Sequence, residues 1–126
     1  MDTKALVDPN IRAGAELVEE LDKRDLRVQA ALWRLDEESR DWRLLIASPL
    51  VEQPGPTWFL KRTQDALKAV RGGLRLRDLE VRSPRDPEIT LFMGAVSTGG
   101  TGAGIRFSRT MINGNFIEDA YIYRLP

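Results

Sequence analysis

The dipeptide Asn113-Gly114 lies between two stretches of alternating apolar residues, and it constrains the fold of this chain more than any other feature. A two-residue type I′ turn needs positive φ at both central positions, and Asn followed by Gly adopts these dihedrals readily. The sequence therefore predicts a β-hairpin centred on this turn. Counting outwards from it predicts four facing pairs on the core side, the second an ion pair near the tip: Met111–Phe116, Arg109–Glu118, Phe107–Ala120 and Ile105–Ile122.

A second hairpin is predicted where the apolar runs ALWRL and DWRLLIASPL flank the polar residues DEESR. If Leu35 faces Trp42, the same register places Trp33 opposite Leu44. Apolar residues then occupy both faces of the hairpin, which is typical of strands covered on both sides in the middle of a sheet. We therefore expect this hairpin to be central and its two tryptophans to be core residues.

Three further segments have helical spacing of apolar residues. Asp8-Pro9 and Asp86-Pro87 each provide an N-cap followed by proline at the first helical position, and another helix is expected after Pro56. A single strand, with a bulge or short turn at Arg77 and Asp78, follows that second helix. The order α-ββ-α-β-α-ββ predicts an α+β fold in one domain over residues 1–126: a mostly antiparallel sheet of about five strands with three helices.

The chain contains no cysteine and no histidine among its 126 residues. This excludes disulfides, thiolate nucleophiles, imidazole bases and zinc sites built from these residues. Any catalytic base would have to be a carboxylate, a lysine or a tyrosine. We therefore expect a non-enzymatic protein with no cofactor and no metal. The opening residues lack a signal-peptide pattern and no apolar run is long enough to cross a bilayer, so we expect a cytoplasmic protein without membrane contact.

Four glycines fall within residues 99–104, in the segment STGGTGAGIRFSR. A phosphate-binding glycine loop follows a strand and opens a helix, whereas these glycines follow a predicted helix and lead into a strand. The P-loop pattern also needs a lysine, and the chain has none after Lys68. We expect Gly99 or Gly100 to end the third helix and the others to form a turn. The alternative is a lid that binds an anion through its backbone N–H groups.

The face of the last hairpin opposite its expected core side is polar. Arg could grip an anion there, Asp could accept a proton or a hydrogen bond, and Tyr offers a ring with a polar tip. The alternative is an ordinary solvated sheet face. The candidate ligand-binding residues are Gly100, Gly102, Gly104, Arg106, Ser108, Asp119 and Tyr121.

We expect the chain to act mainly by binding another protein, or a second copy of itself. If the last strand lies at a sheet edge, its free backbone could pair with a partner, with Tyr121 and Tyr123 adding contact area. One alternative is a binder of small anions, or an enzyme, that uses the candidate polar face. Another is a weak nucleic-acid binder that uses the arginines within residues 71–85, although aromatic residues that would stack on bases are not interleaved with them.

Overall fold

A computed structural model describes residues 6, 8–95 and 104–126 of the chain. Within these residues three helices and five strands follow one another in the predicted order, with two short 3₁₀ turns at Pro49–Val51 and Leu76–Asp78. The helices and strands are α1 (Asp8–Lys23), β1 (Ala30–Leu35), β2 (Trp42–Ala47), α2 (Pro56–Leu67), β3 (Leu79–Arg82), α3 (Pro87–Ala95), β4 (Ile105–Ile112) and β5 (Asn115–Arg124).

The five strands form one sheet in the order β3-β2-β1-β5-β4. Pairs β1–β2, β1–β5 and β4–β5 are antiparallel, whereas β2 and β3 run parallel because α2 connects them as a crossover. The sheet is thus mixed, and the α+β class with a mostly antiparallel sheet is confirmed. The expected short turn at Arg77 and Asp78 is also present, as the 3₁₀ turn that immediately precedes β3.

Helices cover both faces of the sheet. Apolar residues of α1 and α2, among them Leu17 and Phe59, pack with Trp33 on one face. On the other face Ile89 and Phe92 of α3 pack against Leu32 and its neighbours. Hairpin β1–β2 lies between the two layers in the predicted register, with Leu35 opposite Trp42, and its central position is confirmed.

The two tryptophans of hairpin β1–β2 differ in burial. Trp33 is only 2% exposed and is a core residue, as expected. Trp42 packs against the same core from one side but is only half-buried. Trp42, the first residue of β2, is therefore a partly exposed residue at the boundary of the core, and the expectation that both tryptophans are core residues is met in full only by Trp33.

The C-terminal hairpin has the predicted register but buries a different side near its tip. Met111 faces Phe116, yet these two residues are 62% and 44% exposed, whereas Ile112 and Ile117 are 5% and 8% exposed. The expectation that Met111 and Phe116 belong to the core side is therefore wrong. The cause lies at Arg109, whose φ of +48° interrupts the regular alternation of the strand.

The expected ion pair between Arg109 and Glu118 is also wrong. These two residues are missing from the regular pairing of β4 with β5, which is continuous on either side of them. Glu118 instead lies 3.6 Å from Arg40, in the connection between β1 and β2. The carboxylate therefore links the two hairpins rather than the two strands of one hairpin.

Among the described residues, no helix combines the length and the apolar character needed to cross a bilayer.

Candidate functional site

Three of the predicted ligand-binding residues form one hydrogen-bonded group on the surface of hairpin β4–β5. Arg106 donates from Nε and Nη2 to the two carboxylate oxygens of Asp119, at 2.6 and 2.7 Å. Ser108 Oγ donates to Asp119 Oδ1 at 3.1 Å. The hydrogen bond and the charge of Asp119 outweigh partial burial and raise the pKa of Arg106. Arg106 is thus already ion-paired within the protein, so it is less suited to bind an anionic ligand.

Tyr121 and Gly104 lie next to this group. Arg106 faces Tyr121 across the two strands, and a Cβ placed on Gly104 would be 3.2 Å from Tyr121 Oη. Gly104 also has a φ of +78°, so a side chain there would be strained as well as crowded. The guanidinium of Arg106 lies 5.6 Å from the centre of the Trp42 ring, and this contact connects the group to the start of β2.

The other predicted site residues, Gly100 and Gly102, fall outside the described residues, as do Gly99 and the rest of the glycine-rich segment up to 103. The choice between a turn and an anion-binding lid in that segment stays a prediction. Of the seven predicted residues, the structure therefore brings together Gly104, Arg106, Ser108, Asp119 and Tyr121.

Tyr123 has a structural role rather than the contact role expected for it. Its hydroxyl accepts a hydrogen bond from Trp33 Nε1 at 2.9 Å and donates one to the Ile11 carbonyl oxygen at 2.6 Å. Burial raises the pKa of the Tyr123 phenol well above its usual range, despite the hydrogen bond from Trp33. A Cβ added to Gly14 would lie 2.2 Å from this hydroxyl, so helix α1 rests directly on it.

The two edges of the sheet are β3 and β4. The last strand is not a sheet edge open to a partner, because β5 pairs with β1 on one side and β4 on the other. Strand β4 is eight residues long, and within the described residues its outer side pairs with no strand. Sequence reasoning missed this edge because the position of a hairpin within a sheet depends on contacts distant in the chain.

The opposite edge is short and its charged side chains are already paired. Strand β3 has four residues, and its Glu80 and Arg82 belong to a cluster with Arg34 of β1 and Glu88 of α3. Arg34 donates to both oxygens of Glu88, at 2.6 and 3.0 Å. Burial alone would lower the pKa of Arg34, but the hydrogen bond and charge of Glu88 outweigh it and the pKa is raised.

The arginines of residues 71–85 do not form one free basic surface. Arg82 lies in the cluster just described, and Arg85 lies 2.8 Å from a carboxylate oxygen of Glu52. Arg77 faces a cleft near the start of β2. A nucleic acid would have to displace the carboxylate partners of Arg82 and Arg85 to reach these two cations, which weakens the support for this alternative.

A cleft of about 460 Å³ lies between the first turns of α1, the start of β2 and the segment that precedes β3. Trp42 lines it together with Asn10, and Gly72 and Gly73 form part of its wall. Sequence reasoning missed this cleft. The adjacent glycines were the available signal: both have positive φ, and a Cβ on Gly72 would lie 3.2 Å from the Cβ of Ala13.

In the part of the chain that the structure describes, no cluster of three or more acidic side chains is arranged to hold a metal ion. Comparison of the chain with protein-family models, with curated proteins and with solved structures gives no match in any of the three. A function for this chain therefore follows only from the geometry of its own residues.

Proposed function

We propose that this protein is a non-enzymatic protein-interaction module, and that its partner adds an extended segment to the free edge of β4. The observation that carries this proposal is the eight-residue strand whose outer side pairs with no other described strand. Unpaired backbone N–H and C=O groups along such an edge are a template for an additional strand.

Exposed apolar residues next to this edge favour the same function. Met111, near the end of β4, and its facing residue Phe116 are the two most exposed large apolar side chains among the described residues. Natural edge strands are usually short, bulged or charged to prevent pairing. Strand β3 is short, whereas β4 is eight residues long and leaves the apolar surface of Met111 and Phe116 beside it.

The charges on β4 indicate the chemistry of the partner. The strand carries Arg106 and Arg109 and no carboxylate. Asp119 neutralises Arg106, whereas no described carboxylate lies within ion-pair distance of Arg109. A segment with acidic and apolar residues in alternation would place a carboxylate near Arg109. A second copy of the chain fits less well as the partner. Antiparallel pairing of two β4 strands would bring the arginines of both copies close together at the interface, where their like charges repel.

The alternative of a small-molecule site on the polar face has weaker geometric support. Arg106, Ser108 and Asp119 satisfy one another's hydrogen bonds, and an incoming anion would have to separate Arg106 from Asp119. The group is also largely exposed rather than enclosed. Ligand sites normally remove most of the ligand from water.

The test uses a synthetic eight-residue peptide of alternating Glu and Val, matched in length to β4. Binding is followed through the backbone amide resonances of the protein. We expect saturable shifts in Ile105–Ile112 and slower hydrogen exchange of the amides that face outwards from this strand. Replacing Glu by Lys in the peptide should weaken binding, and a proline at its centre should abolish it, because proline removes a backbone donor.

Arg109→Glu is the matched variant of the protein, and Arg12→Glu is its control, since both residues are exposed and lie on different elements. Reversing the charge at Arg109 should weaken peptide binding by about tenfold, and reversing the charge at Arg12 should leave peptide binding unchanged. Shifts confined to another surface, or equal binding of the lysine peptide, would overturn the proposal. If the protein forms a concentration-dependent dimer in which the β4 amides are protected from exchange, the partner is a second copy of the chain rather than another protein.

A further inference from the structure

We infer that the cleft beside Trp42 is a binding site for a small zwitterion that carries a flat ring, the chemistry of a free aromatic amino acid. This site is separate from the edge of β4. Its volume of about 460 Å³ lies in the range that small-molecule pockets usually have.

The ring would lie against Trp42. This side chain is half-buried at the first position of β2, and it lines the cleft together with the fully packed Trp33. Rings in proteins prefer offset-stacked or edge-to-face contact with one another. The guanidinium of Arg106 lies 5.6 Å from the centre of the Trp42 ring, and this contact helps to hold the indole in place.

Among the described residues, the charged side chains that line the cleft are balanced. Arg43 and Arg77 provide two cations, and Asp41 and Asp78 provide two carboxylates. A ligand with only a negative charge would approach the two carboxylates as well, and a ligand with only a positive charge would approach the two arginines. A zwitterion avoids both penalties, because each of its charges can approach a group of opposite sign.

Arg77 is the residue best placed to receive the ligand carboxylate. It is exposed, it lines the cleft, and within the described residues it makes no ion pair or side-chain hydrogen bond. Arg43, by contrast, has Asp41 and Glu80 at 3.9 and 3.8 Å. Asp41 and Asp78 are the two carboxylates available to a ligand ammonium group; Asp41 lies 3.9 Å from Arg43, and Asp78 accepts a hydrogen bond from the Arg75 backbone.

The backbone of the cleft wall supplies further donors. The N–H groups of Gly72, Gly73 and Leu74 bond to no described acceptor. Both glycines have positive φ, at +102° and +74°, and the chain at Gly72 runs against Ala13 of α1. At Gly72 and Gly73 this wall has no side chain beside its unbonded backbone donors, which suits the approach of a carboxylate.

Titration calorimetry and amide shifts with L-phenylalanine test the inference directly. Phenethylamine and 3-phenylpropionate, which each retain one of its two charges, are the matched probes. We expect L-phenylalanine to bind at least about tenfold more tightly than either analogue, with shifts in Gly72, Gly73 and the Trp42 indole N–H. Equal binding of one of the singly charged probes would overturn the inference.

Arg77→Gln and Arg71→Gln separate the cleft from general charge effects. Both arginines are exposed on the same segment, but only Arg77 lines the cleft. Arg77→Gln should weaken the binding of L-phenylalanine by about tenfold, and Arg71→Gln should leave this binding unchanged. Equal loss in both variants, or no saturable binding up to the solubility of the probe, would overturn the inference. Neither result bears on peptide binding at β4, because the two sites report through different amides.

Discussion

Hairpins β1–β2 and β4–β5 lie side by side in the sheet and pair in the registers predicted for them, but they bury their side chains in different ways. In β1–β2 the alternation is regular, and both faces are covered by helices. In β4–β5 the buried side changes between Phe107 and Ile112. Pairing register and the choice of buried face are therefore separate properties of a hairpin.

The difference follows from the surroundings of each hairpin. A strand with packed layers on both sides cannot change its pleat without disrupting side-chain packing in both layers. Hairpin β4–β5 has an exposed tip, and within the described residues the outer side of β4 pairs with no strand, so a residue such as Arg109 can take a φ of +48° there at modest cost. Its tip then turns Ile112 and Ile117, rather than Met111 and Phe116, towards the core.

The largest effect is expected from substitutions that distinguish the two sides of the tip. Ile117→Ala should lower the free energy of unfolding by about 3 kcal/mol, because Ile117 is 8% exposed and packs in the core beneath α3. Phe116→Ala should cost less than about 1 kcal/mol. Urea unfolding measures both. If Phe116→Ala lowered the free energy of unfolding more than Ile117→Ala, the conclusion that the buried side of the hairpin changes at Arg109 would be wrong.

The next effect concerns Arg34, a charged residue within the otherwise apolar strand β1. Glu88→Gln should lower the free energy of unfolding by about 2 kcal/mol, because Arg34, with a side chain only 15% exposed, loses its bidentate partner. Glu19→Gln is the control. Its ion pair with Lys23 is exposed, so the loss should stay within about 0.5 kcal/mol. Equal losses in the two variants would contradict a structural role for the Arg34 cluster.

Tyr123 joins the two hairpins, and its removal should have a smaller cost with a distinctive pH dependence. Tyr123→Phe leaves Trp33 Nε1 and the Ile11 carbonyl oxygen without their partner, at a cost of about 1–2 kcal/mol near neutral pH. Tyr121→Phe, which leaves both of these hydrogen bonds intact, is the matched control.

The sign of the pH effect follows from the raised pKa of Tyr123. Above the ordinary tyrosine pKa of 10.0 the unfolded phenol ionises while the folded one stays protonated, so this group favours unfolding as the pH rises. The wild-type protein should therefore lose more stability between neutral and alkaline pH than Tyr123→Phe does. Parallel pH profiles from denaturant unfolding would contradict burial of the phenol.

The smallest effect is expected at Arg109 itself. Arg109→Gly removes the steric cost of positive φ and should stabilise the protein by about 0.5 kcal/mol, after the entropy lost by glycine is included. Arg109→Ala removes the same charge but keeps the strained dihedral, so it should give no gain. The midpoints of thermal unfolding of the two variants provide the comparison, and a gain in both would assign the effect to charge instead.

Much of the fold was predictable because its signals are local. Asn113-Gly114 set the register of one hairpin, and Asp86-Pro87 marked the start of α3. Asp8-Pro9 marked the start of α1 in the same way. The parallel pairing of β2 with β3 was not predictable in this way, because it depends on how α2 packs between them.

The candidate sites were predictable only in part. Counting across the hairpin brought Arg106, Ser108 and Asp119 together, as the structure does. It gave no information on whether these groups would bond to one another or remain free for a ligand. The edge position of β4 and the cleft beside Trp42 both depend on segments far apart in sequence. Such contacts leave no local periodicity to detect.

Strand β5 comes after the other four described strands in the chain, yet it lies between β1 and β4. Its contacts with β1 span long separations, such as the 90 residues between Trp33 and Tyr123. Folding of the sheet therefore has to wait for synthesis of residues 115–124, and closure of such a long loop slows it further. Until then β1 is itself an open edge. Chains truncated before β5 should consequently aggregate rather than form a smaller sheet.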